Sequence, residues 1–184
     1  MQEAEVSLRV AIYHIKNGLT DKDVKVSIDG AHIKNGDEVH FDIRSFLNEN
    51  GLIKIDEEEE KWQGTYKLDG YEPHIIISSI PGEGDVVITL DDGKKLLIES
   101  KKGKDNKSGQ EYPLMREAIG QLMTGGELTD EIIPAVAVPY SKKTLELAEK
   151  WSEYHQIKQI GIRFILVKVD GDIEMIKYPC NDTL

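Results

Sequence analysis

A chain of 184 residues is long enough for one domain with a substantial core, and its single cysteine, Cys180, excludes an intramolecular disulfide. With 34 acidic against 23 basic residues the formal net charge is −11, which excludes a generally basic, polyanion-coating surface. No apolar run approaches the roughly 18 residues of a membrane span, and the start Met1-Gln2-Glu3-Ala4-Glu5 lacks the basic residues and apolar stretch of a signal peptide, so a cytoplasmic protein with no membrane partner is expected.

From Glu3 to Asn17, the residues Val6, Val10, Ile12 and Tyr13 partly follow helical spacing, although a strand within Leu8 to Ile15 fits as well. Asp23 to Ile28 alternates and is followed by Asp29-Gly30 and Ala31 to Ile33, the pattern of a small hairpin. Residues 1–38 are therefore expected to form an N-terminal appendage packed on a domain of residues 39–184. A helix is predicted from Val39 to Asn50, with Val39, Ile43, Phe46 and Leu47 on one face and Gly51 as its stop. The five carboxylates Asp56 to Glu60 read as a solvated loop or edge.

Extended segments follow at Leu52 to Ile55, His74 to Ile80, Asp85 to Leu90 and Lys94 to Lys101. A helix from Pro113 to Met123 ends at Gly125-Gly126, Ile132 to Val138 reads as a buried strand, and Ser141 caps a helix reaching about His155. Strands at Ile162 to Val169 and Asp172 to Lys177 close the chain. The expected class is α/β, a mixed central β-sheet flanked by helices in the order αβββαβ, with an extra helix and C-terminal strands.

Charge gathers at one place in this order. Leu96, Leu97 and Ile98 form an unbroken apolar run, as in a strand covered on both faces, and Glu99-Ser100-Lys101 follows at its end. Asp85 opens the neighbouring strand directly after Gly84. A two-residue Asp92-Gly93 turn would set Asp85 opposite Ser100. A three-residue Asp91-Asp92-Gly93 loop, with Gly93 left-handed, pairs Leu90 with Lys94 and sets Asp85 opposite Glu99, and this register is the one expected. Lys101 then shares a face with Glu99, because side chains two apart along a strand point the same way.

Two carboxylates so held repel unless one takes a proton or a cation bridges them, and a hard cation such as Mg²⁺, with Mn²⁺ as a substitute, suits Asp85 and Glu99. Lys101 beside them can orient a water or offset charge developing on a phosphoryl group. The competing reading is a surface ion-pair cluster at the end of a hairpin.

Asp85, a spacer of thirteen residues from Val86 to Ile98, and Glu99-Ser100-Lys101 together resemble the motif of the PD-(D/E)XK phosphodiesterase superfamily, the restriction-endonuclease-like nucleases. The order of elements from about Val39 to Lys177 resembles that fold too. The resemblance implies a metal-dependent nuclease, acting on nucleic acid and most naturally DNA, with Asp85 and Glu99 as metal ligands and Lys101 as the catalytic lysine. Gly84 stands where the motif has proline. In Leu114 to Leu122, Gln121 matches a glutamine that extends the site in many such enzymes, while Gly125 replaces the tyrosine that follows it four residues later. The family often carries an acid on its first helix, and Asp42, at the border of the Val39/Ile43/Phe46 face, is the candidate, its competing role being the start of that helix.

Lys102, Lys104, Lys107 and Arg116 are candidate phosphate contacts, since the segment from Lys94 to Lys107 holds six lysines against two acids. The five histidines are scattered singly and are assigned surface or packing roles. A homodimer or a partner subunit is expected to help so acidic a chain grip DNA. The rival class is a non-catalytic nucleic-acid-binding or protein-interaction domain.

Overall fold

One half of the central sheet alternates buried and open residues, and the other half is buried on both faces. In a computed structural model that describes residues 1–56, 60–103 and 111–176, the chain forms α1 (Glu3–Lys16), β1 (Val24–Ser27), α2 (Gly30–Ile33), β2 (Lys34–Asn35), β3 (Glu38–Val39), α3 (Ile43–Glu49), β4 (Leu52–Lys54), β5 (Gly64–Leu68) and β6 (His74–Ser78). It continues with β7 (Val86–Thr89), β8 (Lys95–Ser100), α4 (Glu111–Thr124), β9 (Ile132–Pro139), α5 (Lys142–Ser152), α6 (His155–Ile160), β10 (Arg163–Val167) and β11 (Ile173–Ile176). Nine strands make one sheet in the order β11-β10-β9-β8-β7-β1-β6-β5-β4, and β2 and β3 form a separate ribbon.

Strands β8, β9 and β10 run parallel to one another and carry unbroken apolar stretches such as Leu96 to Ile98 and Phe164 to Val167. That pattern needs cover on both faces. On one face lies α1 with Val6, Leu8, Val10, Ala11 and Ile15, and on the other lie α4, α5 and α6 with Met115, Leu122, Leu147, Trp151 and Ile157. In β1, β5, β6 and β7 only alternate residues are buried: Val24 and Val26, Tyr66 and Leu68, Ile75 and Ile77, Val86 and Ile88. Those side chains face α1 and α3, whose Ile43, Phe46 and Leu47 join the same core.

The mixed α/β expectation therefore holds. The division at residue 38 does not follow the packing. α1 is a helix buried on most sides, which blurs the amphipathic spacing that left a strand open at Leu8 to Ile15. β1 is no hairpin arm. It lies inside the sheet, parallel to β6 and antiparallel to β7, so residues before 39 supply a central strand and the main covering helix. The helix expected from Val39 to Asn50 is confined to Ile43–Glu49, because Asp42 caps it and Glu38–Val39 pairs with Lys34–Asn35. Gly64–Leu68 pairs with both β4 and β6 and was not anticipated as a strand. The helix expected to run to about His155 ends at Ser152, and a separate helix, α6, begins at His155.

Among the described residues no helix is long and apolar enough to cross a membrane. Leu8 is fully buried beneath the sheet. Leu8→Ala is expected to destabilise the chain by about 3 kcal/mol, read as a lower urea midpoint at unchanged slope. A midpoint shift within error would show that residues 1–16 pack as a dispensable appendage.

Candidate functional site

The β7–β8 hairpin adopts the expected three-residue loop. The Leu90 amide donates to the Lys94 carbonyl at 2.8 Å, the Gly93 amide donates to the Leu90 carbonyl at 2.9 Å, and Gly93 has φ 84°. Val86 then pairs with Ile98, and one step further along the ladder Asp85 faces Glu99. Their carboxyl groups are in hydrogen-bonding contact. The Ser100 amide donates to Asp85 Oδ2 at 2.8 Å, and the Ser27 amide donates to the Asp85 carbonyl at 2.8 Å, tying the residue to β8 and β1. A Cβ on Gly84 would lie 2.9 Å from Leu97 Cδ1 and 3.2 Å from the Ile98 carbonyl oxygen. Proline would carry the same Cβ, which gives a steric reason for glycine at this position.

Lys101 extends β8 by one residue, its amide donating to the Ala137 carbonyl at 2.9 Å. Its side chain is only 5% exposed, with Nζ 3.5 Å from Glu3 Oε1 and 3.8 Å from Glu117 Oε1. Glu3 comes from the first turn of α1 on one face of the sheet, Glu117 from α4 on the other. The Ser7 hydroxyl donates to the Ser100 hydroxyl at 2.9 Å in the interior, fixing α1 against β8. His32 Nδ1 lies 3.5 Å from Glu3 Oε1.

Negative charge exceeds positive in this cluster, and its carboxyl groups respond. Burial, reinforced by the Asp85 charge, pushes Glu99 up to about 7. Burial also raises Asp85 above the usual carboxylate range despite the Ser100 amide and the Lys101 ammonium. Glu3 is raised by burial as well, against the opposing pull of Lys101. Asp85 and Glu99 open into a cleft of about 300 Å³ bounded by Ser27, Asp29, Ser79 and Gly82.

Asp85, Glu99 and Lys101 are thus brought together as the sequence suggested. Asp42 is not part of the cluster: it caps α3, accepting from the Ser45 amide at 3.1 Å and the Ser45 hydroxyl at 2.8 Å, and these bonds hold its carboxyl below the usual range. α3 packs beside β4, five strand positions from β8, or roughly 24 Å across the sheet. The acid that the first helix supplies is Glu3, on a helix the sequence pattern left undecided. Gln121 is exposed on α4, one turn beyond Glu117, and Glu117 makes the contact to Lys101.

Lys102 is exposed beside Gly103 in a second cleft, with Tyr140 and Ser141, and Arg116 lies over the Tyr112 ring at 5.3 Å. Lys104 and Lys107 lie outside the described residues. Glu3, Glu117 and His32 were not expected from the sequence. No local pattern marks them, since Glu3 and Lys101 are 98 positions apart.

Among the described residues, no three His, Cys, Asp or Glu side chains are arranged to hold a metal ion. Glu3 is turned to Lys101, which leaves the Asp85–Glu99 pair as the donor set. Two hard oxygen donors whose charges are mutually unfavourable fit Mg²⁺, a cation commonly held by one or two carboxylates with water in its remaining positions. The chain matches no family model, no curated protein and no solved structure.

Because Glu99 titrates near 7 when folded and near 4.5 when not, the folded chain binds more protons between those values, and its stability falls as pH rises through that window. Glu99→Gln removes the penalty. Allowing for solvent around this half-buried group, the variant is expected to be about 1 kcal/mol more stable than the parent at pH 8 without divalent ions. The two should coincide at pH 4. Equal melting temperatures across the range would show that burial beside Asp85 does not disfavour the ionised Glu99 carboxylate.

Proposed function

We propose that this chain is a metal-dependent nuclease of the PD-(D/E)XK type that hydrolyses phosphodiester bonds, most naturally in DNA. The observation that carries the reading is the hairpin register, which sets Asp85 against Glu99 with the buried Lys101 ammonium beside them. The site also lies at the carboxyl end of β8, in the parallel part of the sheet, where open α/β sheets commonly bind ligands.

Asp85 and Glu99 would hold Mg²⁺ or Mn²⁺. That ion, when bound, supplies Lewis-acid polarisation of the phosphoryl oxygen. Lys101 is held between Glu3 and Glu117, so its ammonium reaches the cluster in a defined position. There it orients a water for in-line attack or offsets charge on the phosphoryl oxygens as the bond to the leaving oxygen lengthens. Glu3 acts through Lys101 and is a positioning residue. A second copy or a partner subunit would enlarge the grip on substrate.

The second reading is a non-catalytic nucleic-acid-binding or protein-interaction domain; the two-carboxylate donor set favours it, and the net charge of −11 favours its protein-interaction form. Labelled single-stranded, duplex and branched DNA, and RNA, separate the two when incubated with Mg²⁺ or Mn²⁺. Wild-type chain is expected to cut at least one of them, with losses of about 100-fold or more in Asp85→Ala, Glu99→Gln and Lys101→Ala. Asp42→Ala should keep full activity while lowering the melting temperature through loss of its helix cap. No cleavage by the wild type, together with no Mg²⁺ or Mn²⁺ heat in calorimetry, would transfer the assignment to the second reading.

A further inference from the structure

The Asp85–Glu99 cleft is acidic throughout. Three carboxylates line it, Asp29, Asp85 and Glu99, and no described lysine, arginine or histidine does. Lys101 and His32 act on the pair from outside the lining, each 3.5 Å from Glu3 Oε1. Asp29 caps α2, accepting from the Ala31 amide at 2.9 Å, and Glu83, in the loop that walls the cleft, lies 4.0 Å from Lys95. A phosphodiester entering such a space meets like charge. A bound cation offsets part of it, and the phosphate oxygens that the cation does not take need uncharged donors.

The hydroxyl groups at this edge of the sheet differ in what they already do. Ser78 accepts from the Ile80 amide at 3.0 Å, and Ser79 accepts from the Gln63 side-chain amide at 3.2 Å. The Ser27 hydroxyl lines the cleft with no hydrogen-bond partner among the described residues. Val26 pairs with Val86 and both are buried, so Ser27 stands opposite Asp85 on the other face of the sheet, its amide donating to the Asp85 carbonyl at 2.8 Å. Side chains so paired have Cβ atoms about 5 Å apart.

Gly82 keeps room for that hydroxyl. A Cβ at this position would lie 2.7 Å from Ser27 Oγ, with its next contacts at 3.5 Å from the Gly84 carbonyl oxygen and 3.8 Å from Ser27 Cβ. Alanine at 82 therefore displaces the Ser27 hydroxyl and little else.

We propose that Ser27 is a substrate-binding residue of this cleft, its hydroxyl donating to a non-bridging phosphate oxygen beside the Asp85–Glu99 pair, with Gly82 as the residue that leaves it space. The proposal rests on the nuclease reading for its phosphodiester and adds the donor that receives it. The contact is made before the bond breaks, so it acts on binding more than on turnover.

Cleavage of labelled 20-nucleotide single-stranded and duplex DNA with Mg²⁺ or Mn²⁺ gives kcat and KM. Ser27→Ala is expected to raise KM about 10-fold at unchanged kcat. Gly82→Ala should raise it to a similar degree, and Ser27→Ala/Gly82→Ala should be no worse than Ser27→Ala alone. Mg²⁺ affinity by calorimetry and melting temperature should match wild type in all three. Fluorescence anisotropy of the same DNA in Ca²⁺, another cation of oxygen-ligand sites, reads binding without relying on turnover, and Ser27→Ala should weaken it about 10-fold. Parental KM and binding in Ser27→Ala, a loss confined to kcat, losses that add in the double variant, or a fall in Mg²⁺ affinity overturns the Ser27 contact, and cleavage by the wild type then leaves the nuclease reading standing. If the wild type cuts nothing but binds DNA in Ca²⁺, and Ser27→Ala weakens that binding, the nuclease reading fails and the Ser27 contact stands. Neither cleavage nor binding by the wild type overturns both.

Discussion

The Lys101 ammonium is almost wholly withdrawn from water, and a buried cation is tolerable only where carboxylates surround it. Its two nearest partners come from helices on opposite faces of the sheet, Glu3 on α1 and Glu117 on α4. The end of β8 is therefore a point where both helical layers must be correctly docked for one charge to be satisfied. Ser7 and Ser100 add a buried hydroxyl contact at the same junction. Losing either layer would remove one of the two carboxylates nearest the lysine, which links the integrity of the fold to the geometry of the site.

Asp85 and Glu99 have the opposite problem. With Lys101 engaged by Glu3 and Glu117, positive charge is insufficient for both carboxylates, and burial pushes Glu99 up to about 7. A proton or an external cation relieves that strain, and near neutral pH a divalent cation competes well for it. Frustration of this sort is poor for stability and useful for binding. It is the physical reason for treating the pair as a functional centre instead of a surface ion-pair cluster.

Some of this was legible in the chain. The unbroken Leu96 to Ile98 run against the alternation in Asp23 to Ile28 distinguishes a strand covered twice from one covered once, because burial is written into side-chain polarity. Asp91-Asp92-Gly93 carries the hairpin register, because the left-handed position in such a loop strongly favours glycine. α1 was less readable. A helix buried on most sides has apolar residues all round and loses the stripe that identifies it. The insertion of β1 between β6 and β7 was invisible, since parallel pairing with a strand 51 positions later leaves no local trace.

What the sequence alone determined, then, is the hairpin centre: Asp85, Glu99 and Lys101 are placed relative to one another by turn chemistry and strand alternation, both local rules. What only the tertiary structure decided is the surroundings. Glu3 meets the lysine while Asp42 caps α3, Glu117 meets it instead of Gln121, and among the described residues one face of half the sheet stays open beside the cleft. Those choices depend on which helix covers which face, a matter of summed apolar burial between segments far apart in the chain, and no short-range pattern encodes it.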